Sequence, residues 1–174
     1  MNLLERLLNI NLIVFDLDGV LTNGKVLLNS DGAWLRQMDI KDGFAIQFAI
    51  KSGIEIAVVS GSYSDQVEER LKKLGVEVFV QGATRKSDHL LSILEKLSLK
   101  KDNLLYMGDD IPDLDAFGVS GVKACPADAV SEIKDASDFI SLKNGGDGCV
   151  REIIEKVMRV QGKWDINKFN LQSV

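Results

Sequence analysis

A series of short apolar runs, alternating with helical patterns, constrains this chain more than anything else in it. The runs span 12–15, 54–59, 78–80, 104–107, 122–124 and 139–142. Near-continuous apolar strands of this length need cover on both faces, which is the condition of a parallel sheet with helices on either side. The intervening patterns supply those helices. One starts near Asp42 and stops at Gly53. Another covers 65–74, with Val67, Leu71 and Leu74 on one face and Gly75 as the stop. A third runs over 87–97, and the last, over 150–160, carries a stripe of Val150, Ile153, Ile154, Val157 and Val160. In sheets of this kind ligands bind beyond the carboxyl ends of the strands. The polar punctuation falls there: Asp16-Leu17-Asp18, Ser60-Gly61-Ser62 and Gly108-Asp109-Asp110.

One region breaks the alternation. Between about 20 and 38 the chain reads as a projecting β-hairpin, with Asn23-Gly24 as the strongest turn signal and Asn29-Ser30-Asp31-Gly32 as a second. The first eight residues read as a short amphipathic helix, and residues from about 162 to 174 as a C-terminal tail that Trp164 and Phe169 anchor. A length of 174 residues suits one domain, 1–174, better than two.

Composition then removes whole classes of function. With 21 Lys and Arg against 26 Asp and Glu the formal charge is −5, so the basic footprint of a nucleic-acid binder is absent. Two cysteines, Cys125 and Cys149, cannot build a disulfide framework or a four-thiolate zinc site. The one histidine, His89, leaves acid–base work to carboxylates and lysine. No apolar run approaches the roughly 20 residues of a membrane span, and charges interrupt the start where a secretory core would lie, so the expected location is the cytoplasm.

Two carboxylates at i and i+2 past an apolar strand, Asp16 and Asp18, share a side of the chain if the strand continues. Their mutual repulsion needs a cation or hydrogen bonds, and a hard oxygen-seeking ion such as Mg2+ answers that need. The same spacing also suits a pair of solvated loop acids. A second acidic set, Asp109, Asp110 and Asp113, follows another strand; Asp110 would also serve as an N-cap there. Ser60 and Gly61 offer hydroxyl and N–H groups to an anion, or simply a turn and a cap. Lys86 is either a surface lysine or the neutraliser of a phosphoryl group.

Together these residues resemble the haloacid dehalogenase superfamily. The first motif reads Asp16-Leu17-Asp18-Gly19-Val20-Leu21-Thr22, the second is Ser60, the third Lys86, and the fourth 108–113. A narrower resemblance joins 18–24, Ile40-Lys41-Asp42-Gly43-Phe44, Gln81-Gly82 and 145–152 to the 3-deoxy-D-manno-octulosonate 8-phosphate phosphatases. Two departures stand out: Lys41 and Ser62 occupy positions where most or many members carry Arg.

The resemblance implies a Rossmann-like parallel sheet with helices on both faces, the hairpin, and no large cap domain. It implies a magnesium-dependent phosphatase of lipopolysaccharide biosynthesis that hydrolyses a small sugar-acid phosphate, 3-deoxy-D-manno-octulosonate 8-phosphate first, through an aspartyl-phosphate, with no nucleic-acid or membrane partner. Asp16 would be the nucleophile, Asp18 the acid and base, and Ser60 and Lys86 the grip on the transferring oxygens. The metal would sit on Asp16, Asp109 and the backbone carbonyl of Asp18. Asp110 or Asp113 would place a metal-bound water or hold Lys86. Gly61, Arg70 and Lys41 are the substrate candidates, with Arg36 and Lys25 behind them. The family's homotetramer would bring hairpin and tail over a neighbour's site. Other readings are a nine-carbon sialic-acid-like 9-phosphate as substrate, and a catalytically silent structural or regulatory relative. A receiver-type signalling domain gives no reason for Asp18 or the hairpin.

Overall fold

The computed structural model describes residues 2–30, 32, 34–165 and 167. In chain order the elements are α1 (Leu3–Leu7), β1 (Leu12–Phe15), β2 (Leu27–Leu28), β3 (Trp34–Leu35), α2 (Ile40–Lys51), β4 (Glu55–Val59) and α3 (Asp65–Lys73). There follow β5 (Val78–Val80), α4 (Lys86–Lys96), β6 (Leu104–Met107), α5 (Leu114–Phe117), β7 (Val122–Cys125), α6 (Ser131–Ala136), β8 (Phe139–Ile140) and α7 (Cys149–Val160). Six strands form one parallel sheet in the order β5-β4-β1-β6-β7-β8. The chain starts mid-sheet at β1, builds outward to β5, then returns to β6 on β1's other side. That reversal opens a crevice at the carboxyl ends of β1, β4 and β6.

Strand alternation divides the core between the two faces. Ile13, Phe15, Ile56, Val58, Leu105 and Met107 pack toward α2, α3 and α7, while Leu12, Val14, Ala57, Val59, Leu104 and Tyr106 pack toward α4, α5 and α6. Burial of this kind, worth about 25 cal/mol per Å² of apolar surface, fixes the register, because a one-residue slip would turn each strand's two faces over.

Two expected elements differ. Asn23-Gly24 does not join the hairpin strands. Residues 17–21 form a single wide helical turn closed by Thr22 N–H donating to the Leu17 carbonyl at 3.0 Å, and the Asn-Gly pair is the exit from it. The hairpin proper pairs β2 with β3, Leu27 opposite Leu35 and Leu28 opposite Trp34, and a Thr22–Met38 bridge pins its base. Asp31, which falls in the expected second turn, lies outside the described residues. The strand expected over 139–142 stops at Ile140, because the Leu142 N–H turns to the Glu152 carboxylate at 2.9 Å instead of a strand. Trp164 packs on Phe48, with ring centroids 5.0 Å apart, and Arg151 and Arg159 lie over its ring. Phe169 and most of the tail lie outside the described residues.

Candidate active site

The site begins where β1 ends. Asp16 is 8% exposed, and its Oδ1 accepts the Leu17 N–H at 2.7 Å, capping the wide turn that follows. Gly19 in that turn has φ +90°, and a Cβ there would come 2.0 Å from Asp109 Oδ2. Glycine is therefore what lets the carboxylate after β6 approach the loop after β1. Thr22 is fully buried and ties the loop together: its Oγ1 accepts from Gly19 N–H at 3.3 Å and Gly24 N–H at 3.4 Å. The 145–146 segment lies directly on this loop. A Cβ on Gly145 would meet the Gly19 carbonyl oxygen at 1.9 Å, and Gly146 N–H donates to Val20 at 2.9 Å.

Lys86, first residue of α4, reaches in from the opposite face of the sheet and is 6% exposed. Its Nζ lies 2.9 Å from Asp16 Oδ1 and 2.6 Å from Asp113 Oδ1. Asp113 accepts at every corner: Oδ1 also takes the Tyr106 hydroxyl at 2.6 Å, and Oδ2 takes the N–H groups of Asp109 at 2.9 Å and Asp110 at 3.2 Å. Tyr106 had no place among the sequence candidates. It sits inside the apolar run of β6, where it reads as core, and only the sheet geometry aims its hydroxyl at Asp113. Asp110 turns to the Ile111 N–H at 2.8 Å as an N-cap.

Burial sets the electrostatics. It pushes the Asp16 carboxyl up to about 7, with Asp113's charge adding and Lys86 opposing. It pushes Asp109 up to about 8, helped by Asp16, Asp113 and Asp110. Desolvation works against the Lys86 ammonium, yet the charges of Asp16 and Asp113 outweigh it and hold its pKa above the usual lysine value. Burial would likewise raise Asp18, but hydrogen bonds from Arg36 and Ser62 prevail and hold it below the usual range.

Carboxylate oxygens of Asp16, Asp109 and Asp113 lie within 4.8 Å of one another. Asp109 Oδ1 is buried without a hydrogen-bond partner among the described residues, a costly state for a carboxylate in the absence of a cation. Asp113 has spent its oxygens on Lys86, Tyr106 and two N–H groups, so Asp16 and Asp109 are the pair that fits a hard ion, and oxygen donors suit Mg2+.

These groups line a cavity of about 350 Å³, together with Asp18, Ser60, Gly61, Ser62 and Asp110. Ser60 Oγ is 2.9 Å from Ser62 Oγ, and Ser62 donates in turn to Asp18 Oδ2 at 2.9 Å. Two candidates stand elsewhere. Lys41 lines a cavity of about 630 Å³ along α7. Arg70 lines a groove of about 260 Å³ between hairpin and α3, its guanidinium against Gly43. Lys25 borders other hairpin grooves. Arg36 is the surprise: it grips Asp18.

Comparison with known proteins agrees with this architecture. A family model described as haloacid dehalogenase-like hydrolase matches residues 79–153. The 3-deoxy-D-manno-octulosonate 8-phosphate phosphatase of Escherichia coli is 34% identical over 157 residues, 90% of this chain and 84% of that one. The Moraxella catarrhalis enzyme of the same description, solved with a magnesium ion, a phosphate ion and the sugar acid, superposes with a TM-score of 0.91. It is 32% identical, and 94% of each chain is covered. A cobalt-bound form from Haemophilus influenzae gives 0.89 at 30% identity, covering 97% of this chain and 98% of that one.

Proposed function

We infer that this chain, which belongs to the 3-deoxy-D-manno-octulosonate 8-phosphate phosphatase family of haloacid dehalogenase-like hydrolases, hydrolyses that ester to the free sugar acid and phosphate. The observation that carries the reading is the convergence of Asp16, Lys86 and Asp109 in one cavity at the strand tips. We read the whole of 1–174 as one hydrolase unit working in the cytoplasm. No described helix is long and apolar enough to cross a membrane.

The cofactor is Mg2+. Asp16, Asp109 and the Asp18 backbone carbonyl would hold it, and bound there it supplies the positive charge that offsets repulsion between an anionic nucleophile and an anionic phosphate. Asp16 forms a bond to phosphorus as the bond to the sugar oxygen breaks, and Asp18 gives that oxygen a proton. In the second half, water attacks the aspartyl-phosphate, Asp18 takes the water's proton, and Asp16 is released. Lys86, aimed by Asp113, and Ser60 hold the transferring oxygens. Hydrogen bonds from Arg36 and Ser62 hold the Asp18 carboxyl below the usual range in the free chain, which suits the base half of its role; the acid half needs it to take up a proton before the sugar oxygen leaves.

For the sugar carboxylate we propose Arg70 and Lys41, with Gly61 at the phosphate. Their positions outside the acid-lined cavity fit a homotetramer in which one subunit's hairpin and tail border a neighbour's site. Ser62 and Lys41, in place of the arginines usual in the family, favour one second reading, a nine-carbon sialic-acid-like 9-phosphate as substrate. Phosphate release from the eight-carbon and nine-carbon esters, with Mg2+ and with chelator, separates the two. We expect turnover of the eight-carbon ester, lost on chelation and lowered at least ~10³-fold in Asp16→Asn. Preference for the nine-carbon ester would move the substrate, and no turnover of either would favour a silent subunit.

A further inference from the structure

Arg36 lies on the hairpin, 18 residues beyond Asp18, and its side chain is 4% exposed. Its Nε donates to Asp18 Oδ1 at 2.7 Å and its Nη2 to Oδ2 at 3.1 Å, a two-pronged grip on both carboxylate oxygens. Ser62 Oγ adds a donor to Oδ2 at 2.9 Å, and the Thr22 hydroxyl stands 3.5 Å from Oδ1. The bridge between Thr22 and Met38 explains the reach. It joins the base of the hairpin to the loop that carries Asp18, and Arg36, two residues before Met38, comes over that loop.

We propose that Arg36 is a positioning residue for the reaction: its fork fixes the plane of the Asp18 carboxylate, so that the same group faces the departing sugar oxygen in one half-reaction and the attacking water in the other. The proposal rests on Asp18 being the acid and base. An aspartate held at one point turns about its last torsion; a planar guanidinium bonded to both oxygens removes that freedom, and a lysine ammonium does not. Misplacement of a proton-transfer group by an ångström costs on the order of 10²-fold in rate. The other use for a hairpin arginine is to grip the sugar's carboxylate. The fork is already committed to Asp18 and the side chain is buried, which speaks against that use. The hairpin thereby completes the site of its own subunit.

A double-mutant cycle on phosphate release from 3-deoxy-D-manno-octulosonate 8-phosphate tests the proposal. Arg36→Met should lower kcat about 10- to 100-fold with KM within about threefold, because the group acts on the reaction and not on binding. Asp18→Asn should lower kcat about 10²- to 10⁴-fold, and adding Arg36→Met to it should cost less than about threefold more. A raised KM with kcat unchanged would make Arg36 a substrate ligand and overturn the proposal. Losses that multiply in full in the double variant would overturn it too, since Arg36 would then act independently of Asp18. If Asp18→Asn itself costs less than about tenfold, the acid–base reading fails instead, whatever Arg36 does. Should Arg36→Met unfold, the same cycle is run with Arg36→Lys, which keeps charge and stem but loses the fork.

Discussion

Asp109 and Asp16 keep their protons at pH values where an exposed aspartate has long lost its own, and this has a thermodynamic consequence. Unfolded, both titrate near ~4; folded, Asp16 is pushed up to about 7 and Asp109 to about 8, chiefly by burial. Between those limits the unfolded chain binds fewer protons, so stability falls as pH rises from about 4 and levels off above about 8. Asp42, raised by burial to about 6 where its Oδ1 takes the Arg151 N–H, adds a fall of its own that ends lower. An ion held by Asp16 and Asp109 removes their share and leaves that of Asp42. We predict that without divalent cation the Tm declines between pH 5 and 8, and that the rise in Tm on adding Mg2+ is larger at pH 8 than at pH 5. Equal shifts at both values would contradict the assignment of those two acids. Asp16 and Ser60 were legible in the sequence because each closes an apolar run, and Asp109 because it follows one across Gly108. The grip of Arg36 on Asp18, and of Tyr106 on Asp113, was not, since both depend on elements that meet only when the sheet and hairpin close.

The hairpin is the element whose chemistry most exceeds its size. Its two strands have two residues each, yet Leu27 and Leu28 are both 68% exposed and Trp34 59%. An apolar ribbon this open is unusual on an isolated subunit and suits burial against other copies. Light scattering should report a tetramer mass, and Leu27→Asp with Leu28→Asp should lower it; a monomer before substitution would contradict a shared site. Among the elements, the six sheet strands were readable because their runs are near-continuously apolar, with Glu55 and Lys123 as interruptions in β4 and β7, and the longer helices because their apolar stripes repeat. The helical segment that includes α5 was legible only through its cap, Asp110, and α6 was not legible, since six residues carry too little periodicity to register. Asn23-Gly24 misled because its turn geometry serves the exit from the wide turn after β1, a use that the dipeptide does not distinguish from a hairpin.

At the scale of the whole molecule, function follows from strand order. With β1 between β4 and β6, the loops after three neighbouring strands open on one crevice, and α4, following the outer strand β5, sends Lys86 back into it. No single loop could gather an attacking carboxylate, a cation-seeking acid and an ammonium at these distances without unbearable repulsion. The sheet does so by spreading their burial over separate elements, which is the placement that the proposed attack by Asp16 needs. The most direct measurement is to quench the enzyme in acid during turnover of the sugar phosphate, reduce it with borohydride, and map the peptides by mass spectrometry. An acyl-phosphate at Asp16 should appear as homoserine at that position when Mg2+ is present, and be absent with chelator. Homoserine at any other aspartate, or none at Asp16 during sustained turnover, would contradict the account.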